Sequence, residues 1–248
     1  MIDTHSHLYL CKKDPHTLVA AAQAAGVTGM ICVGLNKDTA LQCAALATTF
    51  PGMVYPTLGV HPCEPLGLEK TELQDLLAQH PWVAIGEVGL DYYKSPLSLP
   101  AQRQRFVDHL ALARQFGLPV IIHSRQSDAD MIDVVSDFPD VPKVFHCFSS
   151  DVAFVEKTIG PHTMYSFTGN ITYSPEGPMV NALRHLPLDR IMSETDCPFL
   201  TPTAHKGQPN EPAFVKAVVE KMAEIKDIPF QEMARITTEN ARRFFRLN

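Results

Sequence analysis

No CxxC pair occurs among the six cysteines, Cys11, Cys32, Cys43, Cys63, Cys147 and Cys197. Scattered in this way, they read as reduced thiols of a cytoplasmic protein and not as a disulfide frame. No apolar run approaches the roughly 18 residues that a membrane helix needs. No basic-then-apolar opening precedes the first predicted strand at Ile2. Neither a membrane partner nor a secretory signal is therefore expected. Positive charge is in deficit: 21 Lys and Arg against 27 Asp and Glu leave a net charge of −6. Such a chain has no long-range pull on nucleic acid, so an anionic substrate must be held by a local basic patch or by metal. Low-complexity linkers and short-period repeats are missing as well. The 248 residues, 45% hydrophobic and 19% charged, suit one soluble domain spanning 1–248.

Alternation is the positive signal. β-favouring runs fall at Ile2–His7, Gly29–Leu35, Val54–Val60, Val83–Glu87, Val120–His123, Lys143–Cys147, Tyr165–Thr168 and Arg190–Thr195. Helical stretches lie between and after them. Pro100–Phe116 opens on a proline and meets Gly117 at its end, and Pro212–Lys226 carries an apolar stripe behind Pro212. A last helix is expected at Asn240–Phe245, with Phe244 or Phe245 packed on the body of the protein. Strands alternating with helices imply parallel pairing. Eight of them favour a closed (β/α)8 barrel, whose usual size is about 250 residues. A dinucleotide-binding sheet would need a Gly-rich turn after the first strand, and His5-Ser6-His7-Leu8-Tyr9 is not one.

Six side chains of ligating chemistry end or follow these runs: His5, His7, Glu87, His123, His146 and Asp196. His5 and His7 leave one face of a strand, because side chains alternate. In a barrel, the C-terminal strand ends build the active site. Four histidines and two carboxylates exceed the needs of one tetrahedral zinc and suit two divalent ions. His5, His7 and Asp196 would hold one, since strands one and eight are neighbours. His123 and His146 would hold the other, and Glu87 would bridge. Asp196 and Glu87 are the candidate catalytic carboxylates, with Asp196 placed to orient or deprotonate water. The identity of the ions, zinc, manganese or magnesium, is not encoded in His and carboxylate ligands. His16, His80, His109, His162 and His185 lie in helices or loops and read as ordinary hydrogen-bonding residues.

The motifs also match a known family. Asp3-Thr4-His5-Ser6-His7-Leu8, Gly86-Glu87-Val88-Gly89-Leu90-Asp91-Tyr92-Tyr93, His123-Ser124-Arg125, His146-Cys147-Phe148-Ser149 and Glu194-Thr195-Asp196-Cys197-Pro198-Phe199-Leu200 resemble the TatD-type metal-dependent deoxyribonucleases. Asn210-Glu211-Pro212 and Asn240-Ala241-Arg242-Arg243-Phe244 extend the resemblance to the C-terminus. It implies an amidohydrolase-like TIM barrel with two divalent metals held by the matching His, Glu and Asp. It implies phosphodiester hydrolysis in DNA, single-stranded or at an end, with 3′-to-5′ exonuclease action in some relatives. The chief alternative is an amide or ester hydrolase of the same superfamily, such as an aminoacyl-tRNA deacylase. A non-catalytic module that merely holds metal is the other. Many binuclear relatives carry a carboxylated Lys at the end of strand four, and Glu87 in that place favours the nuclease. No obligate protein partner is expected. Three positions depart from the pattern: Ser6 stands where Cys is common, Ser150 where Gly is usual, and Lys206 where many relatives carry Arg.

Around this set stand less determined residues. Arg125 is open to two roles, a phosphate clamp or an ion pair with Asp91 or Asp128. His61 follows strand three, placed to protonate a leaving oxygen, to touch phosphate, or only to hydrogen-bond. Lys206 offers phosphate a point charge without the guanidinium fork. Asn210 is a substrate contact or a helix cap. Glu194 should orient a ligand histidine from behind. Tyr92 and Tyr93 are candidates for stacking on a base, or for packing beneath their loop.

Overall fold

The computed structural model describes residues 1–247. Residue 248, the last of the expected domain, lies outside the described residues. Strands and helices alternate: β1 (Ile2–Ser6), α1 (Pro15–Ala24), β2 (Gly29–Cys32), α2 (Lys37–Thr49), β3 (Val54–Leu58), α3 (Lys70–Gln79), β4 (Ala84–Asp91) and α4 (Leu99–Phe116) form the first half. The second half is β5 (Val120–Arg125), α5 (Asp128–Ser136), β6 (Lys143–Phe145), α6 (Val152–Thr158), β7 (Thr163–Phe167), α7 (Pro178–His185), β8 (Ile191–Ser193), α8 (Val215–Lys226) and α9 (Phe230–Phe245). The eight strands pair in chain order, each parallel to the next. The expected (β/α)8 barrel is therefore the architecture.

Local chemistry explains several of the boundaries. Asp14 caps α1 through the Thr17 N–H, and Asn36 with Thr39 makes a reciprocal capping box on α2. Gly117 ends α4 in the left-handed region, as the sequence predicted. Other boundaries differ from expectation. β4 runs four residues beyond Glu87, and β5 two beyond His123, because Gly89↔His123, Leu90↔Ser124 and Asp91↔Arg125 continue the ladder. Glu87 and His123 thus project from within their strands and not from the ends. Gly89 makes this close approach possible: its φ is +142°, and a Cβ there would lie 2.0 Å from the His123 carbonyl oxygen. β1, β2, β3, β6 and β8 end earlier than expected, and His7, His61, His146, Glu194 and Asp196 lie just past the ends of β1, β3, β6 and β8. β7 begins two residues earlier, at Thr163. The helix expected from Pro212 opens as a 3-10 turn, Pro212–Phe214, before α8. The last helix starts at Phe230, ten residues before the expected Asn240.

One apolar cluster takes a residue from seven of the eight strands: Ile2, Ile31, Ala84, Ile121, Val144, Met164 and Met192. It fills the barrel and closes on Ala241 and Phe245 of α9, with Phe244 packed beside them. Burying a side chain such as Phe245 contributes about 1.5–3 kcal/mol. The last seam, between β8 and β1, is stitched largely by side chains. Backbone pairing there is confined to Asp196 N–H to the His5 carbonyl (2.8 Å), His7 N–H to the Cys197 carbonyl (2.9 Å) and one bridge between Ser6 and Cys197. The Asp3 carboxylate accepts from the Thr195 N–H (2.8 Å) and hydroxyl (2.6 Å), and the Thr4 hydroxyl donates to the Ser193 carbonyl. Burial pushes the Asp3 carboxyl up to about 8, further than these donors and the His5 N–H pull it down.

Candidate active site

All six expected ligands converge at the C-terminal mouth of the barrel, and Glu87 is the common neighbour of the four histidines. Its Oε2 faces His5 Nε2 (3.3 Å) and His7 Nε2 (3.8 Å). Its Oε1 faces His123 Nδ1 (2.8 Å), His146 Nε2 (2.9 Å) and His61 Nε2 (3.4 Å). Asp196 Oδ1 lies 3.4 Å from His7 Nε2 and 3.8 Å from His5 Nε2. Asp196 holds a left-handed backbone, φ +56°, which aspartate tolerates better than most residues.

The donor chemistry fits divalent metal. His5 Nε2 and His7 Nε2 stand 3.3 Å apart, nitrogen to nitrogen. Two nitrogens bound at about 2.0–2.1 Å to one tetrahedral ion would be separated by about 3.3 Å. Hydrogen bonds behind the rings aim their lone pairs the same way. His7 Nδ1 meets the Val33 carbonyl at 2.9 Å, so Nδ1 carries the proton and Nε2 is free. His146 Nδ1 likewise faces Glu194 Oε1 at 3.2 Å. Glu194 is held in turn by the Cys147 N–H (2.6 Å) and the Ser166 hydroxyl (2.5 Å). His5 stacks on His146 at 3.9 Å, and its buried Nδ1 has no partner among the described residues. His61 differs: its Nδ1 accepts from the Cys63 N–H, which leaves the proton of a neutral ring on Nε2, toward Glu87.

Electrostatics follows from this packing. Burial opposes charge on every group, yet His146 is raised well above the ordinary histidine range because Glu87 and Glu194 outweigh burial. His7 and His123 are raised against burial by Asp196 and by Asp91 with Glu87 respectively. His5 is lowered, by burial and by the charge of His146. Burial would raise Glu87 and Asp196, but the surrounding imidazoles hold both below the usual carboxylate range. Protons here do what a cation would do, so a metal entering the site must displace them.

The remaining residues are placed as follows. Arg125 pairs with neither Asp91 nor Asp128; its guanidinium lies 4.2 Å over the Tyr93 ring. The Tyr92 hydroxyl donates to Asp130 at 2.5 Å. Lys206 is exposed on the loop after β8. Asn210 is buried, its amide donating to the carbonyls of Thr195 (2.8 Å) and Phe199 (2.5 Å) while its oxygen accepts from the Glu211 N–H. It ties down the Asp196 loop, with both of its N–H groups engaged there. The Ser6 hydroxyl turns to the Ile31 carbonyl, away from the site, and Ser150 bonds Asp128 at the start of α5. Sequence inspection missed Asp91 as a site residue: its Oδ2 meets His123 Nε2 at 3.0 Å. Its place in the Gly-Glu-Val-Gly-Leu-Asp run was visible, but its partner across the ladder was not.

A parallel barrel that gathers imidazoles around one carboxylate at its C-terminal mouth is the architecture of a metal-dependent hydrolase. Residues 2–246 match the family model described as TatD related DNase. The metal-dependent hydrolase YabD of Bacillus subtilis is 34% identical over 100% of both chains. The 3′-5′ ssDNA/RNA exonuclease TatD of Yersinia pseudotuberculosis is 33% identical, over 95% of this chain and 94% of its own. The crystal structure of YJJV, a TatD homolog from Escherichia coli, superimposes with a TM-score of 0.93 at 27% identity, covering 100% of this chain and 98% of that one. The chain belongs to the TatD-related family of metal-dependent hydrolases.

Proposed function

We propose that this protein is a nuclease that hydrolyses phosphodiester bonds at unpaired ends of DNA, working as a single domain with two divalent ions. One observation carries this reading: the two oxygens of Glu87 face two different sets of imidazole nitrogens. His5, His7 and Asp196 with Glu87 Oε2 would hold one ion, and His123 and His146 with Glu87 Oε1 the other. Ions there supply Lewis acidity toward a phosphoryl oxygen and lower the pKa of water. Asp196, held as a carboxylate, accepts the proton of the attacking water. His61 keeps its Nε2–H for the leaving oxygen, because the Cys63 N–H occupies Nδ1. Glu194 fixes the ring of His146 through Nδ1, and Asp91 does the same for His123 through Nε2. The exonuclease named for the Yersinia relative supports the substrate class. We place the activity in the cytoplasm, on the reduced-thiol composition of the sequence.

The test is reconstitution with zinc, manganese or magnesium and assay on end-labelled single-stranded DNA, with an ester and an amide as rival substrates. Metal-dependent shortening of the DNA, abolished in Glu87→Ala, is the expected result. Activity that survives Glu87→Ala would refute the bridged pair, and turnover of the ester or amide alone would refute the nuclease.

A further inference from the structure

Two exposed aromatic rings stand beside different histidines of the site. Phe199 is 52% exposed, and its ring centre lies 6.2 Å from that of His7. Tyr93 is 61% exposed and stands on the His123 side: its N–H binds Asp91, whose other oxygen meets His123. A single exposed apolar side chain is ordinary on a protein surface. These two differ because their supports are rigid. The Phe199 N–H is bound by the Asp196 carbonyl and its own carbonyl by Asn210. The next residue, Leu200, is left-handed at φ +54°, and the Tyr173 hydroxyl braces the loop at the Thr201 carbonyl. The Tyr93 ring carries the Arg125 guanidinium 4.2 Å from its centre, which puts a cation beside an aromatic face at the mouth of an acidic protein.

We propose that Phe199 and Tyr93 form a stacking clamp for the nucleobases on either side of the scissile phosphate, with Arg125 attracting the adjoining phosphate. The proposal rests on the nuclease function above and adds the reason for strand selection. Aromatic side chains stack on any base, but only on a face that no neighbouring base covers. Inside a duplex both faces are covered, so the clamp admits single strands and frayed ends and rejects paired interiors.

Metal-loaded protein is assayed on a 5′-labelled single-stranded oligonucleotide and on one of the same length whose terminal residues are abasic. Wild type should favour the base-bearing strand by about tenfold or more in kcat/KM, from the usual strength of base stacking on an aromatic ring. Phe199→Ala and Tyr93→Ala should each collapse that preference, chiefly through KM, and Phe199→Trp should keep it. A wild type without preference, or alanine variants that retain it, overturns the clamp while leaving the nuclease function standing. Failure on both strands, with hydrolysis of an ester, overturns both.

Discussion

At single side chains, the site is a competition between protons and metal for the same nitrogens. Asp91 shows how a neighbour decides it. By accepting from His123 Nε2–H, it frees Nδ1 toward Glu87. Asp91→Asn should weaken the ion on the His123 side by about 10- to 100-fold, the usual cost of losing such a support. Calorimetric titration should then show one tight site in place of two. A separate histidine contributes to acid sensitivity. His109 is buried in α4, its Nδ1–H donating to the Arg105 carbonyl at 2.7 Å. Burial lowers it from 6.5 to about 4. A lowered pKa means that the unfolded chain takes up the proton first, so this stability is intact above 6.5 and is lost as pH falls toward 4. From about pH 7.5 to about pH 5 the loss should be about 2 kcal/mol. Because the raised histidines of the site respond in the opposite sense, the measure is the difference between wild type and His109→Gln in urea denaturation, which should change by that amount between the two pH values.

Among strands and helices, what the sequence revealed depended on how uniform each pattern was. Val120–Ile122 and Lys143–Phe145 are short β-branched or aromatic runs followed by a histidine, so both strand and ligand were legible. The sequence pattern ends β4 at Glu87 because Gly86 and Gly89 break its β-propensity, although Gly89 is what lets β4 and β5 continue together. The start of α9 was missed because its buried stripe, Met233, Thr237, Asn240, Ala241 and Phe245, mixes polar with apolar residues. Asn240 belongs there because its amide bonds the Leu188 and Ile191 carbonyls, a pairing between residues far apart in the chain. Asn210 is the same kind of case. Asn210→Ala would leave the Thr195 and Phe199 carbonyls without their donor and should cost about 2–3 kcal/mol, measured by chemical denaturation. Activity should fall by more than the folded fraction, because the loop it holds carries Asp196.

For the barrel as a unit, the apolar interior is closed by α9. Phe245→Ala empties that plug and should lower stability by about 3–5 kcal/mol, the range for a buried Phe, in calorimetric unfolding of the metal-free protein. Bound metal should recover part of this by mass action. The seam between β8 and β1 has a consequence in time. The group around His5, His7 and Asp196 joins the first strand to the segment after the last, whereas Glu87, His123 and His146 come from β4, β5 and the residue after β6. A growing polypeptide can assemble the second group while it is still being made. The first exists only after Thr195 has been made and has reached Asp3, so a product truncated before Asp196 holds the second group and lacks the first.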